Sequence, residues 1–335
     1  MAKRSKTILI TGGAGFIGSW LTKALINKGY RTIIVDNLST GSKKNIPSKT
    51  TFYKIDVRNN KLENIFRKER PSFIIHLAAQ TNAGYSVINP ILDANINIIG
   101  ILYLLQLAIK FKIKKFIFVS SAAVYGNNKN LPLRETEIPS PISPYGCSKI
   151  NAENYIILFN KAYKLPYVIL RLSNVYGPRQ PETGEGGVIN IFCRLMVEGR
   201  KPVIYGKGQQ TRDFIYISDV VNALIQTLKT DKKNIIFNVS SGRPISVLNI
   251  VKIINIINNQ LTKNQLTKKL IPQYLPSKVG DVKHSVLDNN KIKKFLGWQP
   301  KISIEQGIKK TLNSYTKVDK IKKTPHNKNY GKRTK

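Results

Sequence analysis

Short apolar runs alternate with stretches of helical period over the first half of the chain. Five of these runs are rich in Ile, Val, Leu and Phe and predict strands: 6–11, 31–36, 72–79, 115–121 and 167–175. Between them, apolar residues recur every three to four positions, as in 93–110, and this spacing predicts helices. Alternating strands and helices predict right-handed β-α-β units, and strands that are apolar throughout predict a parallel sheet covered on both faces. We therefore expect an α/β fold with a doubly wound parallel Rossmann sheet.

The character of the chain changes in its second half. Residues 176–211 are rich in glycine, proline and other loop-forming residues, and apolar runs return in 212–240. We expect 1–175 to form a nucleotide-binding domain, with 212–240 returning to it. A smaller, mixed α/β substrate-binding lobe is expected from 176–211 together with 241–315. The basic segment 316–335 is predicted to be a disordered tail.

The composition predicts a folded protein outside the membrane. The 335 residues are 41% hydrophobic, which is enough for a sizeable core. The apolar run near the N-terminus stops at Gly12 and predicts a strand rather than a secretion signal, and no stretch is predicted to span a membrane. The two cysteines, Cys147 and Cys193, indicate neither a disulfide framework nor a zinc site. A cytoplasmic location and no bound metal are therefore expected.

The chain is strongly basic, with 55 Lys and Arg against 18 Asp and Glu and a net charge of +37. The excess is spread along the whole chain rather than gathered in one arm. Because Lys, Ile and Asn are abundant together, codon usage biased toward A and T explains it better than a selected polyanion-binding surface. The charge still predicts nonspecific attraction for phosphorylated ligands and nucleic acid.

A glycine-rich turn follows the first predicted strand. Gly12, Gly15 and Gly18 are spaced so that the turn is tight and backbone N–H groups approach a pyrophosphate at the start of a helix. Asp36 ends the second strand eighteen positions after Gly18, where a carboxylate holds the ribose hydroxyls of NAD. It would repel the 2′-phosphate of NADP. The sequence therefore predicts an NAD site.

Two further strand ends carry candidate cofactor residues. Asp56 and Val57 follow the third strand, and Asp56 is either near the adenine amino group or a solvated strand-end carboxylate; the sequence leaves both open. The segment 76–80 ends the fourth strand with small residues, as required where the backbone passes close to a dinucleotide. His76 within it is better explained as a packed strand histidine than as a catalyst.

Tyr145 and Lys149 are four residues apart on a predicted helix and so share one face. An ammonium beneath a phenol favours the phenolate and lowers the pKa of the tyrosine. Such a tyrosine can act as a general base near neutral pH. Taken alone, the same spacing also fits a surface Tyr and Lys on an ordinary helix, so the pair gains weight only from the NAD site before it.

The motifs TGGAGFIG, VDNLSTG, HLAAQ, SSAAVYG, YGCSK, RLSNVYGPRQ, TRDFIY and GDVKHS occur in this order. Their order resembles the extended short-chain dehydrogenases/reductases, in particular the UDP-glucose 4-epimerase group of NAD-dependent sugar-nucleotide epimerases, over residues 6 to about 315. The resemblance implies inversion at C4 of a UDP-hexose through a 4-keto intermediate. It implies that Tyr145 is the base, that Lys149 lowers its pKa and binds the nicotinamide ribose, and that Ser121 bonds the sugar 4-oxygen.

The resemblance also implies the contact residues. Those expected at the cofactor are Gly12, Gly15, Phe16, Ile17, Gly18, Asp36, Asn37, Ser39, Thr40, Gly41, Asp56, Val57, Leu77, Ala78, Ala79, Tyr145 and Lys149. Those expected at the substrate are Thr81, Ser121, Asn174, Val188, Tyr205, Arg212, Lys278, Asp281 and Ser285.

Several substrate residues have implied roles. Asn174 and Arg212 resemble groups that contact the UDP diphosphate, and a guanidinium suits bidentate phosphate contact. Tyr205 takes the place of a ring that stacks on uracil, although a buried strand tyrosine is an equal alternative. Asp281 resembles a residue near the uridine ribose. Lys278 stands where the family usually has Arg, which leaves its role in doubt.

Two departures bear on the reaction. Ala122 and Ala123 follow Ser121, where the related 4,6-dehydratases carry Asp-Glu, so dehydration is not expected. Ser285 stands where strict UDP-galactose epimerases tend to carry a bulky Tyr, and we hypothesise that N-acetylated sugars (UDP-GlcNAc and UDP-GalNAc) are also accepted.

The sequence leaves two alternatives open. One is a UDP-glucuronate 4-epimerase or decarboxylase, which the motif at 171–180 also fits. The other, of a different class, is an NAD-fold protein that binds nucleic acid through its basic surface, although such a protein would not need Ser121, Tyr145 and Lys149. A homodimer is expected from the family, through the apolar face of 93–110 and the helix of Tyr145, but core packing explains the same apolar pattern.

Overall fold

A computed structural model describes residues 6–181, 187–261, 269, 271–277 and 282–323. Lys278 and Asp281 lie outside the described residues. The strands are β1 (Thr7–Thr11), β2 (Arg31–Asp36), β3 (Thr51–Lys54), β4 (Phe73–His76), β5 (Lys115–Ser121), β6 (Tyr167–Leu172), β7 (Asn174–Tyr176), β8 (Val203–Tyr205), β9 (Thr211–Tyr216), β10 (Ile235–Val239), β11 (Pro244–Ser246) and β12 (Gln273–Leu275). The helices are α1 (Phe16–Ile26), α2 (Leu62–Glu69), α3 (Ala83–Ile88), α4 (Pro90–Ala94), α5 (Gly100–Lys110), α6 (Pro144–Tyr163), α7 (Val188–Glu198), α8 (Ile217–Lys229), α9 (Val247–Leu261), α10 (Asn290–Leu296) and α11 (Ile304–Lys323).

Seven strands form a parallel sheet in the order β10-β6-β5-β4-β1-β2-β3. The order reverses between β1 and β4, so connections leave the sheet in opposite directions there. A crevice at the carboxyl ends of the strands is expected at such a reversal. The doubly wound parallel sheet is therefore confirmed.

The strands are buried on both faces because side chains alternate along each of them. In β1, Ile8 and Ile10 belong to one core with α1 and α8, whereas Leu9 belongs to a second core with α2, α5 and α6. Residues on both faces of β1 have no exposed surface. This two-sided burial explains why the strands are apolar throughout.

The smaller part of the molecule combines two short sheets with helices. β11, β9 and β7 form a three-stranded sheet, and β12 pairs with β8. The helices α7, α9 and α11 pack on one another beside these sheets. At one contact, a methyl group on Gly307 of α11 would lie 2.0 Å from the Tyr176 hydroxyl of β7. The same hydroxyl donates a hydrogen bond to the Ile304 carbonyl (3.4 Å).

Two elements of the second half differ from the sequence-based expectation. The segment 212–240 is expected from the sequence to return to the large domain. β10 does join the large sheet, beside β6, but β9 pairs with β7 and β11 in the smaller sheet. α11 continues to Lys323, so the first part of the segment 316–335 predicted to be disordered is helical. Buried Ile308 and Leu312 anchor this helix, and adding residues to a helix that is already formed and packed is easier than starting a new one. Residues 324–335 lie outside the described part.

The predicted helix 93–110 belongs to a longer helical stretch. α4 and α5 are joined by a π-helical turn, Asn95–Ile99, which makes one stretch from Pro90 to Lys110. By length and composition this stretch could cross a membrane, an observation that the sequence-based expectation overlooks. Nearly half of its apolar window is buried, and Asp93 and Asn97 within it are buried and hydrogen-bonded. The burial is typical of a core helix.

Candidate functional site

The glycine-rich turn packs tightly between β1, β2 and β4. Gly12 has φ +69°, and a methyl group there would come 2.7 Å from the Ala78 backbone nitrogen. A methyl group on Gly18 would lie 2.2 Å from the Gly12 carbonyl oxygen. Gly15 is the N-cap residue of α1 and gives its helix no side-chain cap. The first N–H groups of α1, from Phe16 onward, therefore remain for an anion, as a pyrophosphate site requires.

Asp36 links the glycine-rich turn to the loop after β2. Its carboxylate accepts hydrogen bonds from the backbone N–H groups of Ala14 (2.9 Å) and Leu38 (2.8 Å) and is buried. Gly41 approaches it closely, since a methyl group on Gly41 would lie 3.0 Å from Asp36 Oδ1. The intervening Ser39 and Thr40 are exposed. The carboxylate is thus fixed beside the turn, where the ribose of a dinucleotide is expected.

Asp56 is bound by two neighbours. Arg58 donates from Nε (2.8 Å) and Nη2 (2.9 Å), and Asn37 Nδ2 donates to Asp56 Oδ2 (2.8 Å). Mainly because of the Arg58 hydrogen bonds, the pKa of Asp56 falls to about 2. Val57 beside it is buried against Gly100. The carboxylate is therefore ionised and held in place, and Arg58 is a part of this loop that sequence reasoning did not predict.

The segment after β4 is fixed by Thr11. The Thr11 hydroxyl accepts from the N–H groups of Leu77 (3.2 Å) and Ala78 (3.3 Å) and bonds His76 Nδ1 (2.6 Å). Burial and the Lys149 cation lower the pKa of His76 to about 3. His76 is therefore a neutral, packed strand residue, as the sequence favours. Ala79 follows, partly buried, and Thr81 is exposed at the end of the segment.

Ser121, Tyr145 and Lys149 come from two elements that meet at the carboxyl end of β5. Ser121 is the last residue of β5, and its hydroxyl accepts from the Ala123 N–H (3.2 Å). Tyr145 and Lys149 lie on the first turns of α6. The elements touch where a methyl group on Gly146 would lie 2.6 Å from the Ala123 carbonyl. Only glycine permits this approach, which brings the predicted hydroxyl, phenol and amine to one place.

The Lys149 side chain is buried between α6 and β5. Its Nζ donates to the Val119 carbonyl (3.0 Å) and lies 4.9 Å from the Phe118 ring centroid and 5.9 Å from the Tyr145 ring centroid. Burial lowers the pKa of Lys149 to about 8, while Asp93 and Glu153 act in the opposite direction. The amine therefore remains largely protonated at neutral pH and lies beside the phenol.

Behind Ser121, a buried ion pair ties α6 to the sheet. Glu153 accepts from the Ser120 hydroxyl (2.5 Å) and from Arg171 Nη2 (2.7 Å), and both ionic side chains are almost fully buried. The Arg171 guanidinium lies 4.9 Å from the Tyr125 ring centroid, and the Tyr125 hydroxyl donates to Asn238 Oδ1 (2.7 Å). This network spans α6, β5, β6 and β10 and holds together the elements that carry Ser121, Tyr145 and Lys149.

A second polar cluster supports the start of α6 from the other side. Asn97 donates to the Ser148 hydroxyl (3.0 Å) and exchanges hydrogen bonds with the backbone of Gln80. Ser86 accepts from the Tyr145 N–H (3.0 Å). Sequence reasoning missed these residues. The available signal was the presence of Asp93 and Asn97 among the few polar residues of a largely apolar helix.

Four of the predicted substrate residues line one cavity of about 200 Å³: Asn174, Val188, Tyr205 and Arg212. Phe192, Val203, Ile204, Gln210 and Val247 complete its lining. Tyr205 is 36% exposed, so it is not a buried strand tyrosine. The cavity combines an aromatic ring, an amide and a guanidinium with apolar walls, which are the groups that a nucleotide requires.

Arg212 and Ser285 are linked through β9. Arg212 Nη1 donates to the carbonyls of Thr211 (2.9 Å) and Lys283 (3.4 Å), and the Ser285 N–H donates to the Thr211 carbonyl (3.2 Å). Ser285 is partly exposed. The guanidinium is therefore anchored beside the segment that carries Ser285, whereas Lys278 and Asp281, outside the described residues, remain predictions.

A larger cavity of about 500 Å³ lies at the opposite edge of the sheet, before β4 and β5. It is lined by Arg67, Arg70, Lys112 and Lys114 among others. Two helices, α2 and α5, end beside it. Because cations complement the carbonyl ends of helices, the positive charge there has a structural explanation. Attraction of nucleic acid to the basic surface stays a prediction.

Comparison with known proteins places the chain among nucleotide-sugar enzymes. The family model described as GDP-mannose 4,6 dehydratase matches residues 9–311. A protein of Methanocaldococcus jannaschii, whose provisional name is UDP-glucose 4-epimerase, is 42% identical over 91% of this chain and 97% of its own length.

Solved structures agree. The UDP-glucose 4-epimerase of Thermotoga maritima with UDP-glucose is 43% identical, covers 93% of this chain and 99% of that chain, and superposes with a TM-score of 0.89. The UDP-glucose 4-epimerase of Thermus thermophilus in complex with NAD is 33% identical, covers 92% and 99%, and gives a TM-score of 0.85. Other similar proteins are named as UDP-N-acetylglucosamine 4-epimerase, UDP-glucuronate 4-epimerase and dTDP-D-glucose 4,6-dehydratase.

Proposed function

Because the chain belongs to the GDP-mannose 4,6-dehydratase family of NAD-dependent epimerases and dehydratases, we propose that it inverts C4 of UDP-glucose and UDP-galactose. One observation carries the proposal. Lys149 is buried within 5.9 Å of the Tyr145 ring centroid at the end of β5. In the same molecule, a separate cavity gathers Asn174, Tyr205 and Arg212. A proton-transfer pair and a nucleotide-binding cavity are the two parts that this reaction requires.

The residues around the glycine-rich turn fit NAD. The uncapped start of α1 and the bare backbone of Gly12 suit the pyrophosphate, and the fixed Asp36 carboxylate suits the adenosine ribose. Asp56 with Asn37 would face the adenine, and the backbone of Leu77–Ala79 would lie along the cofactor. The chemistry that NAD would supply at this site is reversible hydride transfer at C4 of the sugar.

The chain's own groups move the proton. We assign the Tyr145 phenol as the base that takes the proton of the sugar 4-hydroxyl and later returns it. The buried Lys149 ammonium stabilises the phenolate electrostatically. The Ser121 hydroxyl would donate a hydrogen bond to the sugar 4-oxygen. Ala122 and Ala123 supply no acid or base after it, which disfavours dehydration.

The nucleotide half of the substrate would occupy the 200 Å³ cavity. Arg212 and Asn174 would bind the diphosphate, Tyr205 would stack on the uracil, and Val188 would contact the nucleotide from α7. Thr81 and Ser285 would face the sugar. The small Ser285 leaves space for an N-acetyl group, and we propose that UDP-GlcNAc and UDP-GalNAc are also accepted.

The test is a substrate panel on the purified protein. Denaturation should release about one equivalent of NAD per chain, and NMR should show interconversion of UDP-glucose with UDP-galactose and of UDP-GlcNAc with UDP-GalNAc. Turnover of UDP-galactose without UDP-GalNAc would refute only the role of Ser285. Epimerisation or decarboxylation of UDP-glucuronate alone would favour the uronic-acid alternative. Conversion of dTDP-glucose to a dehydrated 4-keto product would contradict the assignment of Ala122 and Ala123.

We further propose a homodimer through an exposed apolar face on α3–α6. Ile88 and Ile91 are 77% and 78% exposed, and Leu158 and Tyr163 of α6 are more than half exposed. Exposed apolar side chains on neighbouring helices are typical of an interaction site. Analytical ultracentrifugation should show that the wild-type protein is a dimer and that the Ile91→Glu variant is a monomer. A monomeric wild-type protein contradicts the proposal. The cytoplasmic location stays a prediction.

A further inference from the structure

Asp93 is a buried carboxylate with an unusual hydrogen-bond pattern. The residue is 1% exposed. Its Oδ1 accepts from Gln80 Nε2 (2.8 Å) and Asn97 Nδ2 (3.1 Å). Its Oδ2 is buried and accepts no hydrogen bond from the residues that the structure describes. Because burying a carboxylate oxygen without a partner is costly, its presence calls for a function.

The partners of Asp93 lead to the first turn of α6. Asn97 donates to the Ser148 hydroxyl (3.0 Å), and that hydroxyl donates to the Tyr145 carbonyl (2.9 Å). Ser148 stands directly before Lys149. The carboxylate is therefore connected through Asn97 and Ser148 to the backbone of the residue proposed as the base, and the Asn97 amide shares its two hydrogens among Asp93, Ser148 and the Gln80 carbonyl.

Asp93 also differs from the other charged groups around Lys149. Glu153, on the same helix, is neutralised by Arg171 of β6. His76, from β4, is neutral. Among the described ion pairs, Asp93 takes part in none. Of the two carboxyl groups that act electrostatically on Lys149, Asp93 is therefore the one without an ion-pair partner in the part of the chain that the structure describes.

We propose that Asp93 is a positioning residue for the epimerisation: it holds the first turn of α6 and supplies the negative charge opposite the buried Lys149 ammonium. This inference rests on the proposed function of the Tyr145–Lys149 pair. Without Asp93, only Glu153, whose charge is already compensated by Arg171, would oppose the lowering of the Lys149 pKa by burial. The Lys149 amine would then lose its proton at lower pH.

The experiment uses Asp93→Asn, which keeps an oxygen for Gln80 and Asn97 and removes the charge. For UDP-galactose, we expect NAD content and KM to match the wild type, while the alkaline fall in kcat moves to lower pH. Each pH unit of that movement corresponds to about a tenfold loss on the alkaline side. Urea unfolding at pH 7 should show a modest loss of stability, because the buried Lys149 ammonium loses a compensating charge. Asp231→Asn, which removes an exposed charge elsewhere, is the matched control.

A second measurement does not depend on turnover. In protein labelled with ¹³Cε-lysine, the Lys149 signal, assigned with Lys149→Arg, should titrate near pH 8 in the wild type and lower in Asp93→Asn. If no UDP-sugar reacts but this titration shifts, the proposed function fails and the charge effect stands. If the Lys149 titration and the pH profile of kcat are the same in the wild type and in Asp93→Asn, the inference is overturned. Failure of Asp93→Asn to fold would also overturn it, since the carboxylate would then be structural only.

Discussion

The proposed catalytic pair, Tyr145 and Lys149, and the proposed nucleotide cavity are built in opposite ways. Around Lys149 the polar groups are buried and bonded to each other before any ligand arrives. Among the cavity residues, Asn174 and Tyr205 are exposed, and the Arg212 guanidinium donates to the backbone carbonyls of Thr211 and Lys283. The polar groups around Lys149 are therefore preorganised by the fold, whereas the cavity presents several side chains to solvent.

This difference predicts different consequences of substitution. Changes near β5 and α6 should affect kcat or stability, because the groups there act together. Changes in the cavity should affect KM, because its side chains are replaceable without disturbing the core. Four substitutions test the contrast.

Tyr145→Phe should have the largest effect. Removing the hydroxyl that transfers the proton should lower kcat by about 10²–10⁴-fold, since that is the usual contribution of general acid–base catalysis. NAD content and KM should change little. Tyr163→Phe, an exposed tyrosine at the end of the same helix, is the control and should remain fully active. Wild-type kcat in Tyr145→Phe would refute the assigned base.

Glu153→Gln should cause the largest loss of stability. It leaves the Arg171 guanidinium buried without its carboxylate, which should cost about 3–5 kcal/mol of unfolding free energy. Urea denaturation measures this. Glu198→Gln, which removes the carboxylate of an exposed ion pair with Arg200, should leave stability unchanged within error. Equal effects of the two substitutions would show that the buried network does not stabilise α6.

Arg212→Lys should weaken substrate binding without altering chemistry. The charge is kept, but the planar fork and its anchoring to β9 are lost. We expect KM for UDP-galactose to rise about 10- to 100-fold with kcat nearly constant, the range of a lost charge-assisted hydrogen bond. Arg243→Lys, an exposed arginine that does not line the cavity, is the control. A fall in kcat at unchanged KM would place Arg212 in the catalytic region instead.

Asp56→Asn should have the smallest effect. Because Arg58 and Asn37 hold the folded-state pKa near 2, below the ordinary value of 3.8, the charged carboxylate stabilises the fold above about pH 4. That contribution is lost as the pH falls toward 2. After solvent screening we expect about 1 kcal/mol at pH 7. Urea unfolding at pH 7, 5 and 3 should show the wild-type advantage shrinking at pH 3; a constant difference contradicts it.

Local patterns predicted the parts of the site that depend on neighbouring residues. A strand, a glycine turn and an acidic strand end are adjacent in sequence, so Gly12, Gly18 and Asp36 could be assigned from spacing. The resemblance supplied Asn174, Tyr205 and Arg212, and the structure brings all three to one cavity. Their binding roles stay predictions.

Long-range contacts could not be predicted. Asn97 meets Ser148 across 51 positions, and Tyr125 meets Asn238 across 113, and no spacing rule connects such pairs. The π-helical turn around Asn97 likewise depends on tertiary partners rather than on local propensity. The pairing of β9 with β7 was missed because a short strand carries no sign of which sheet it joins.

The packing of Gly307 against Tyr176 shows that the C-terminal helix, α11, supports the strand β7. Tyr176 ends the strand that begins with Asn174, a residue of the cavity lining, so this strand is supported by a segment more than 120 residues later in the chain. The added methyl group of Gly307→Ala would displace β7, and a truncation before Gly307 would remove the contact with Tyr176. Substitutions in α11 are therefore expected to alter ligand selectivity. A purification tag should be added after Lys323 and should not replace α11.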